Sequence, residues 1–73
     1  MQKITEKYYD YILYKDNEDY IFSVVCGTIA VFDVTIKLNT QEQKEYQQKG
    51  EAFLDTFSST IRSNPEGFFD RRI

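Results

Sequence analysis

The apolar residues of this chain follow two periods. Between Thr40 and Ser63 they fall at Tyr46, Gly50, Phe53, Leu54, Phe57 and Ile61, a spacing of threes and fours that draws one stripe along a helix. Upstream, Phe32, Val34, Ile36 and Leu38 alternate with Asp33, Thr35 and Lys37, which predicts a strand over Val31 to Leu38 with one dry and one wet face. Tyr20 to Cys26 predicts a second strand. Glu6 to Lys15 is dense in rings, which favour a pleated surface. A helix is the alternative for that first segment, because Ile4, Tyr8, Tyr11 and Ile12 would also share a helical face.

Turn chemistry separates these segments. Asp16-Asn17-Glu18-Asp19 carries residues that bond their own backbone and tolerate left-handed conformations, as a hairpin loop requires. Gly27-Thr28 offers the next reversal. Asn39 or Thr40 caps the helix, and Glu42 stands where a capping box would place it if Asn39 is the cap. Asn64-Pro65 ends the helix, since proline lacks the amide donor and pushes its predecessor out of the α region. Phe68 and Phe69 then fold back and leave Asp70 to Ile73 as a tail. The expected architecture is α+β: a three-stranded antiparallel β-meander followed by one long C-terminal α-helix packed on one sheet face (βββα). Gly50 lies on the helical stripe, which predicts a close approach of the helix backbone to the sheet over a ring such as Phe22 or Phe32. Gly50→Leu would then overpack the core.

This architecture has one helix and two sheet faces. The inward sets are Tyr9, Tyr11 and Leu13; Tyr20, Phe22, Val24 and Cys26; and Phe32, Val34, Ile36 and Leu38. The opposite face retains Tyr8, Ile12, Tyr14, Ile21, Val25 and Val31 among its polar residues. A solvated antiparallel face alternates more cleanly than that, and a contiguous apolar patch on a monomer marks an interface. These six residues are the candidate partner-binding surface, unless the N-terminal segment or the Phe68-Phe69 tail covers them. A second copy of the chain or a different protein would each fit it.

Composition narrows the partners. The chain has 73 residues and is read as one domain; a domain of that size buries roughly 60% of the surface that its unfolded chain exposes. Six Tyr and six Phe offset part of the deficit. Twelve acidic against nine basic residues give a net charge of −3, which repels a phosphate backbone, so nucleic acid is not an expected ligand. No apolar run reaches the ~20 residues of a membrane-spanning helix, and the first residues lack the apolar core of a signal peptide. The one cysteine, Cys26, forms no internal disulfide, and a cytoplasmic location is expected.

Candidate chemistry is sparse. There is no histidine, which removes the commonest general base and the commonest zinc ligand from the chain's own repertoire. Cys26 lies in an apolar strand without an adjacent cation and reads as a small buried hydrophobe. Asp16, Glu18 and Asp19 lack the spacing and sharp-turn glycine of a calcium loop, and read as a solvated turn. Asp10 and Asp33 read as polar punctuation of the outward face. Gly27, Gly50 and Gly67 are too far apart for a phosphate loop. Arg62 suits the negative end of the helix, while Arg71 and Arg72 suit either that end or an acidic partner. No catalysis, cofactor or metal is expected.

In its small size, acidity and lack of catalytic residues, the chain resembles bacterial toxin-immunity and related inhibitor proteins. These share no common fold, so the resemblance implies nothing residue by residue. It implies a partner protein as target, often a basic enzyme such as a nuclease, with electrostatic attraction speeding the encounter. The alternative expectation is a structural homodimer or assembly subunit without an inhibitory role.

Overall fold

The computed structural model describes residues 1–27 and 30–73. Its elements are β1 (Gln2–Lys7), β2 (Tyr11–Asp16), β3 (Asp19–Cys26), β4 (Phe32–Lys37), α1 (Thr40–Lys49), α2 (Glu51–Ser63) and a 3₁₀ segment (Pro65–Arg71). The strands form one antiparallel sheet in the order β1-β2-β3-β4. An α+β fold on an antiparallel sheet is what the periodicity predicts. The strand count and the single long helix are not.

The sheet has four strands because the expected first strand, Glu6 to Lys15, contains a reversal. The Asp10 amide donates to the Lys7 carbonyl at 2.9 Å, and Tyr9 sits at φ +58°, so the chain turns over Tyr8, Tyr9 and Asp10. Gln2–Lys7 then pairs with β2 as an edge strand, and the helical alternative for this region is excluded. Ile4 is the one apolar residue of β1, so no period could announce it. A register shift between Lys3 and Thr5 bulges the strand, a common guard on a free edge. Asn17, at φ +58°, makes the expected hairpin between β2 and β3, closed by the Asp16–Asp19 pair. The expected reversal at Gly27-Thr28 lies partly outside the described residues; Gly27 itself is at φ +97°.

Gly50 breaks the expected long helix. Its φ of +64° and ψ of −138° end α1 and begin α2, with the Gly50 amide donating to the Tyr46 carbonyl at 2.7 Å. A Cβ at Gly50 would meet nothing within 4 Å, so the expected close approach to the sheet is not why glycine stands there. The reason is backbone conformation: this φ, ψ pair is one that glycine alone adopts readily. The break separates two helices of different character. No residue of α1 is buried, whereas α2 buries Phe53, Leu54, Phe57, Ser58 and Ile61. With only the half-buried Tyr46 packed on the core, α1 draws on its cap: Asn39 accepts from the Glu42 amide, and Glu42 accepts from the Asn39 amide, completing the expected capping box.

The core lies between α2 and one face of the sheet. Tyr11, Leu13, Phe22, Val24, Cys26, Val34, Ile36 and Leu38 meet Phe53, Leu54, Phe57 and Ile61 there. Of the expected inward set, Tyr9 is misplaced: the turn puts its ring in solvent, 75% exposed. Polar ties fasten the helix to the sheet edge. The Tyr11 hydroxyl donates to Asp55 at 2.8 Å and Lys7 donates to the same oxygen at 3.2 Å, while Thr5 donates to Glu51 at 2.9 Å.

Residues 70–73 are not a loose tail. Phe68 and Phe69 pack against the core, as expected. Arg71 grips Glu42 with both terminal nitrogens, at 2.9 and 2.6 Å, and donates to the Lys37 carbonyl at 3.0 Å. Arg72 lies 4.4 Å over the Phe69 ring, bridges Ile36, and is followed by an Ile73 amide that donates to Thr35 at 3.1 Å. The outer edge of β4 is thereby partly covered from within the chain.

Two outcomes are expected from these arrangements. Gly50→Ala and Gly50→Leu should destabilise the protein alike, by about 1–3 kcal/mol in urea unfolding, because the cost is backbone strain. A much larger loss for leucine would restore the packing explanation. Asp55 is held below its ordinary carboxyl value of 3.8, first by the Tyr11 hydrogen bond and then by that of Lys7. A depressed folded value means that its stabilisation is complete above the unfolded value and fades as pH falls through the folded one. The stability gap between wild type and Asp55→Asn should therefore be constant above about pH 5 and shrink below about pH 4. A gap unchanged down to pH 2 would rule out proton-linked stabilisation by this tie.

Candidate functional site

Strand register decides which side chains share the outer face. Tyr11, Leu13, Phe22, Val24, Val34 and Ile36 point into the core, so their neighbours point away from it. Three rows result. One runs Lys3, Tyr14, Ile21, Lys37; the next Glu6, Ile12, Ser23, Thr35; the third holds Val25 and Asp33. The Ser23 and Thr35 hydroxyls bond each other at 3.0 Å across the middle row. Phe53 and Phe57 of α2, Tyr46 of α1, and Phe68 and Phe69 of the 3₁₀ segment all pack against the core on the other side. The tail therefore does not cover this face.

Four of the six residues expected on that face are brought together: Ile12, Tyr14, Ile21 and Val25. They do not form the broad exposed patch that alternation suggested. Ile21 is only 5% exposed, flanked in its row by the long side chains of Tyr14 and Lys37, and the other three are half-buried. Tyr8 and Val31 are elsewhere. Tyr8 is in the β1–β2 turn and Val31 immediately precedes β4, so both stand at one end of the sheet rather than on its face.

That end is the most apolar exposed part of the described residues. Tyr8 is 82% exposed, Tyr9 75% and Val31 67%, with the two tyrosine rings edge to face at 4.4 Å between centroids. The turn that presents them is firmly seated. The Asp10 carbonyl accepts from the Val25 amide at 2.9 Å, and Arg62 at the end of α2 pairs with the Asp10 carboxylate and donates to the Val25 carbonyl at 3.0 Å. Arg62 thus clamps the aromatic end instead of only complementing its own helix. Tyr9 holds a left-handed conformation that a bulky side chain rarely accepts. Sequence reasoning missed Tyr9 because it assigned the ring to the core; the adjacent Asp10 was the available sign of a turn.

The opposite end of the sheet carries the β2–β3 hairpin, with Asp16, Glu18 and Asp19 all exposed. The molecule therefore has an aromatic end and an acidic end. On the helical side, a groove of about 320 Å³ runs between Glu45 and Lys49 of α1 and Phe53, Thr56, Phe57 and Thr60 of α2. It offers hydroxyls and one charge of each sign around a phenylalanine floor. Cys26 is buried, and burial pushes its thiol up from its ordinary value despite Arg62, so it stays protonated as a packing group. Among the described residues, no three acidic or cysteine side chains are placed to hold a metal ion, and no helix is long and apolar enough to cross a membrane. Compared with protein-family models, curated proteins and solved structures, the chain matches none.

Proposed function

We propose that this chain is a cytoplasmic protein-binding module without catalysis of its own, of the inhibitor or immunity type, and that its aromatic end is the contact with its target. The observation that carries the reading is Tyr9. A bulky ring at φ +58° costs the fold about 1–2 kcal/mol that glycine or asparagine would avoid, yet the ring stays three-quarters exposed with only Tyr8 stacked on it. Strained backbone residues cluster at ligand clamps and other functional sites, and here the strain is kept at an exposed aromatic position. Tyrosine also suits recognition, with two χ angles, a large face to bury and a hydroxyl to aim.

The charge distribution supports a basic target. The net charge of −3 gives a long-range attraction to a basic protein that speeds encounter, while Tyr8, Tyr9 and Val31 supply the apolar contact. A buried free thiol and no second cysteine fit a reducing compartment.

The test places a photo-crosslinking amino acid at Tyr8 or Tyr9 in the cells that make the protein, with Gln47 on the exposed side of α1 as control. One discrete adduct from positions 8 and 9, absent from 47, identifies the target; equal labelling from all three positions defeats the reading. With the target in hand, Tyr9→Gly should weaken binding at least tenfold while leaving stability unchanged or up to about 1 kcal/mol higher, since glycine relieves the strain. Lost binding accompanied by lost stability would instead assign Tyr9 a structural role.

A further inference from the structure

The outer face of the sheet carries a charge pattern that is complementary to itself. Lys37 and Asp33 lie on the same face of β4, two rows apart, about 13 Å along the strand. Both are exposed, and neither makes an ion pair among the described residues. Between them Thr35 is already satisfied by Ser23. On β3, Ile21 lies in the Lys37 row and Val25 in the Asp33 row.

We propose that this face is a two-fold contact between two copies of the chain, with the axis lying along the middle row, perpendicular to the strands. That axis exchanges the outer rows. Lys37 then stands over Asp33 of the second copy and Asp33 over its Lys37, Ile21 meets Val25, and Ile12 meets its own equivalent. Glu6 also meets its equivalent, but each Glu6 already holds Lys3 at 3.0 Å. The other two-fold, parallel to the strands, keeps the rows and stacks β1 on β4. It would set Lys37 against a Lys3 already paired with Glu6 and give neither Lys37 nor Asp33 an opposite charge, so charge selects the first arrangement.

The contact is small. Four strands about 4.8 Å apart and three rows about 7 Å apart give a face of roughly 300–400 Å² per copy, well below the standard interface. Association is therefore weak and concentration-dependent, and salt weakens it further. The perpendicular axis turns the two aromatic ends away from each other, so the dimer presents two separate copies of the end proposed to bind the target. The inference does not depend on that target, and its test reads self-association alone.

The test is sedimentation velocity of the full chain from about 10 µM to 1 mM at low salt. Wild type should show a rising sedimentation coefficient over this range. Asp33→Lys places lysine against lysine and Lys37→Asp places aspartate against aspartate, so each variant alone should remain monomeric. An equimolar mixture of the two restores opposite charges at both contacts and should associate, as should the double variant Asp33→Lys/Lys37→Asp. Both positions are exposed, and circular dichroism checks that each variant folds. A wild type that stays monomeric at 1 mM overturns the proposal. So does self-association by the single variants, or a mixture that behaves as two monomers.

Discussion

Phe57 stacks on Phe22 of the central strand at 5.8 Å and on Phe53 one turn back at 5.3 Å, while Tyr11 leans on Phe22 at 5.3 Å and Phe68 meets Phe57 edge-on at 5.7 Å. Together with the fully buried Leu54 and Ile61, this ring layer holds α2 to the sheet, and its large rings supply much of the core of so short a chain. Its consequences spread outward. Seating α2 against Tyr11 brings Asp55 within reach of the Tyr11 hydroxyl and Lys7, so the edge strand β1 is tied down by a helix formed almost fifty residues later. It also sets the end of α2 beside the β1–β2 turn, where Arg62 can clamp Asp10 and the Val25 carbonyl.

The break at Gly50 divides the helical layer: α2 carries the rings onto the sheet, whereas no residue of α1 is fully buried. The break leaves α1 poorly buried and dependent on its capping box, where Glu42 serves twice, accepting from the Asn39 amide and from Arg71. The C-terminal segment is thus anchored to the start of the helical layer as well as to β4, and among the described residues no helix or tail covers the outer face of the sheet.

A small protein arranged in this way has a polar asymmetry. The helices, the ring layer and the C-terminal segment use one side of the sheet, and both ends are left to the turns. One end is acidic and the other aromatic, and at the aromatic end Tyr9 combines a costly backbone conformation with a largely exposed ring.

Much of the fold was legible because the relevant signals are local. The alternation over Phe32 to Leu38 determined β4 and its inward face, Asp16 to Asp19 determined the hairpin, Asn39 with Glu42 determined the helix start and Asn64-Pro65 its end. The candidate surface was legible only in part: alternation grouped Ile12, Tyr14, Ile21 and Val25 but could not separate them from Tyr8 and Val31. Three features are not announced by the pattern of residue types. β1 has one apolar residue and exists because β2 offers it an edge. Tyr9 reads as a strand residue until the pairing of Gln2–Lys7 with Tyr11–Asp16 forces a turn through it. Gly50 fits a helical stripe, yet its backbone takes φ +64° and ψ −138° and divides the helix in two. Residue types and their order settle which local geometry each segment prefers; where a residue is compatible with two geometries, only the packing of distant segments chooses between them, because that choice lies in the free energy of burial and pairing and not in the residue's own torsions.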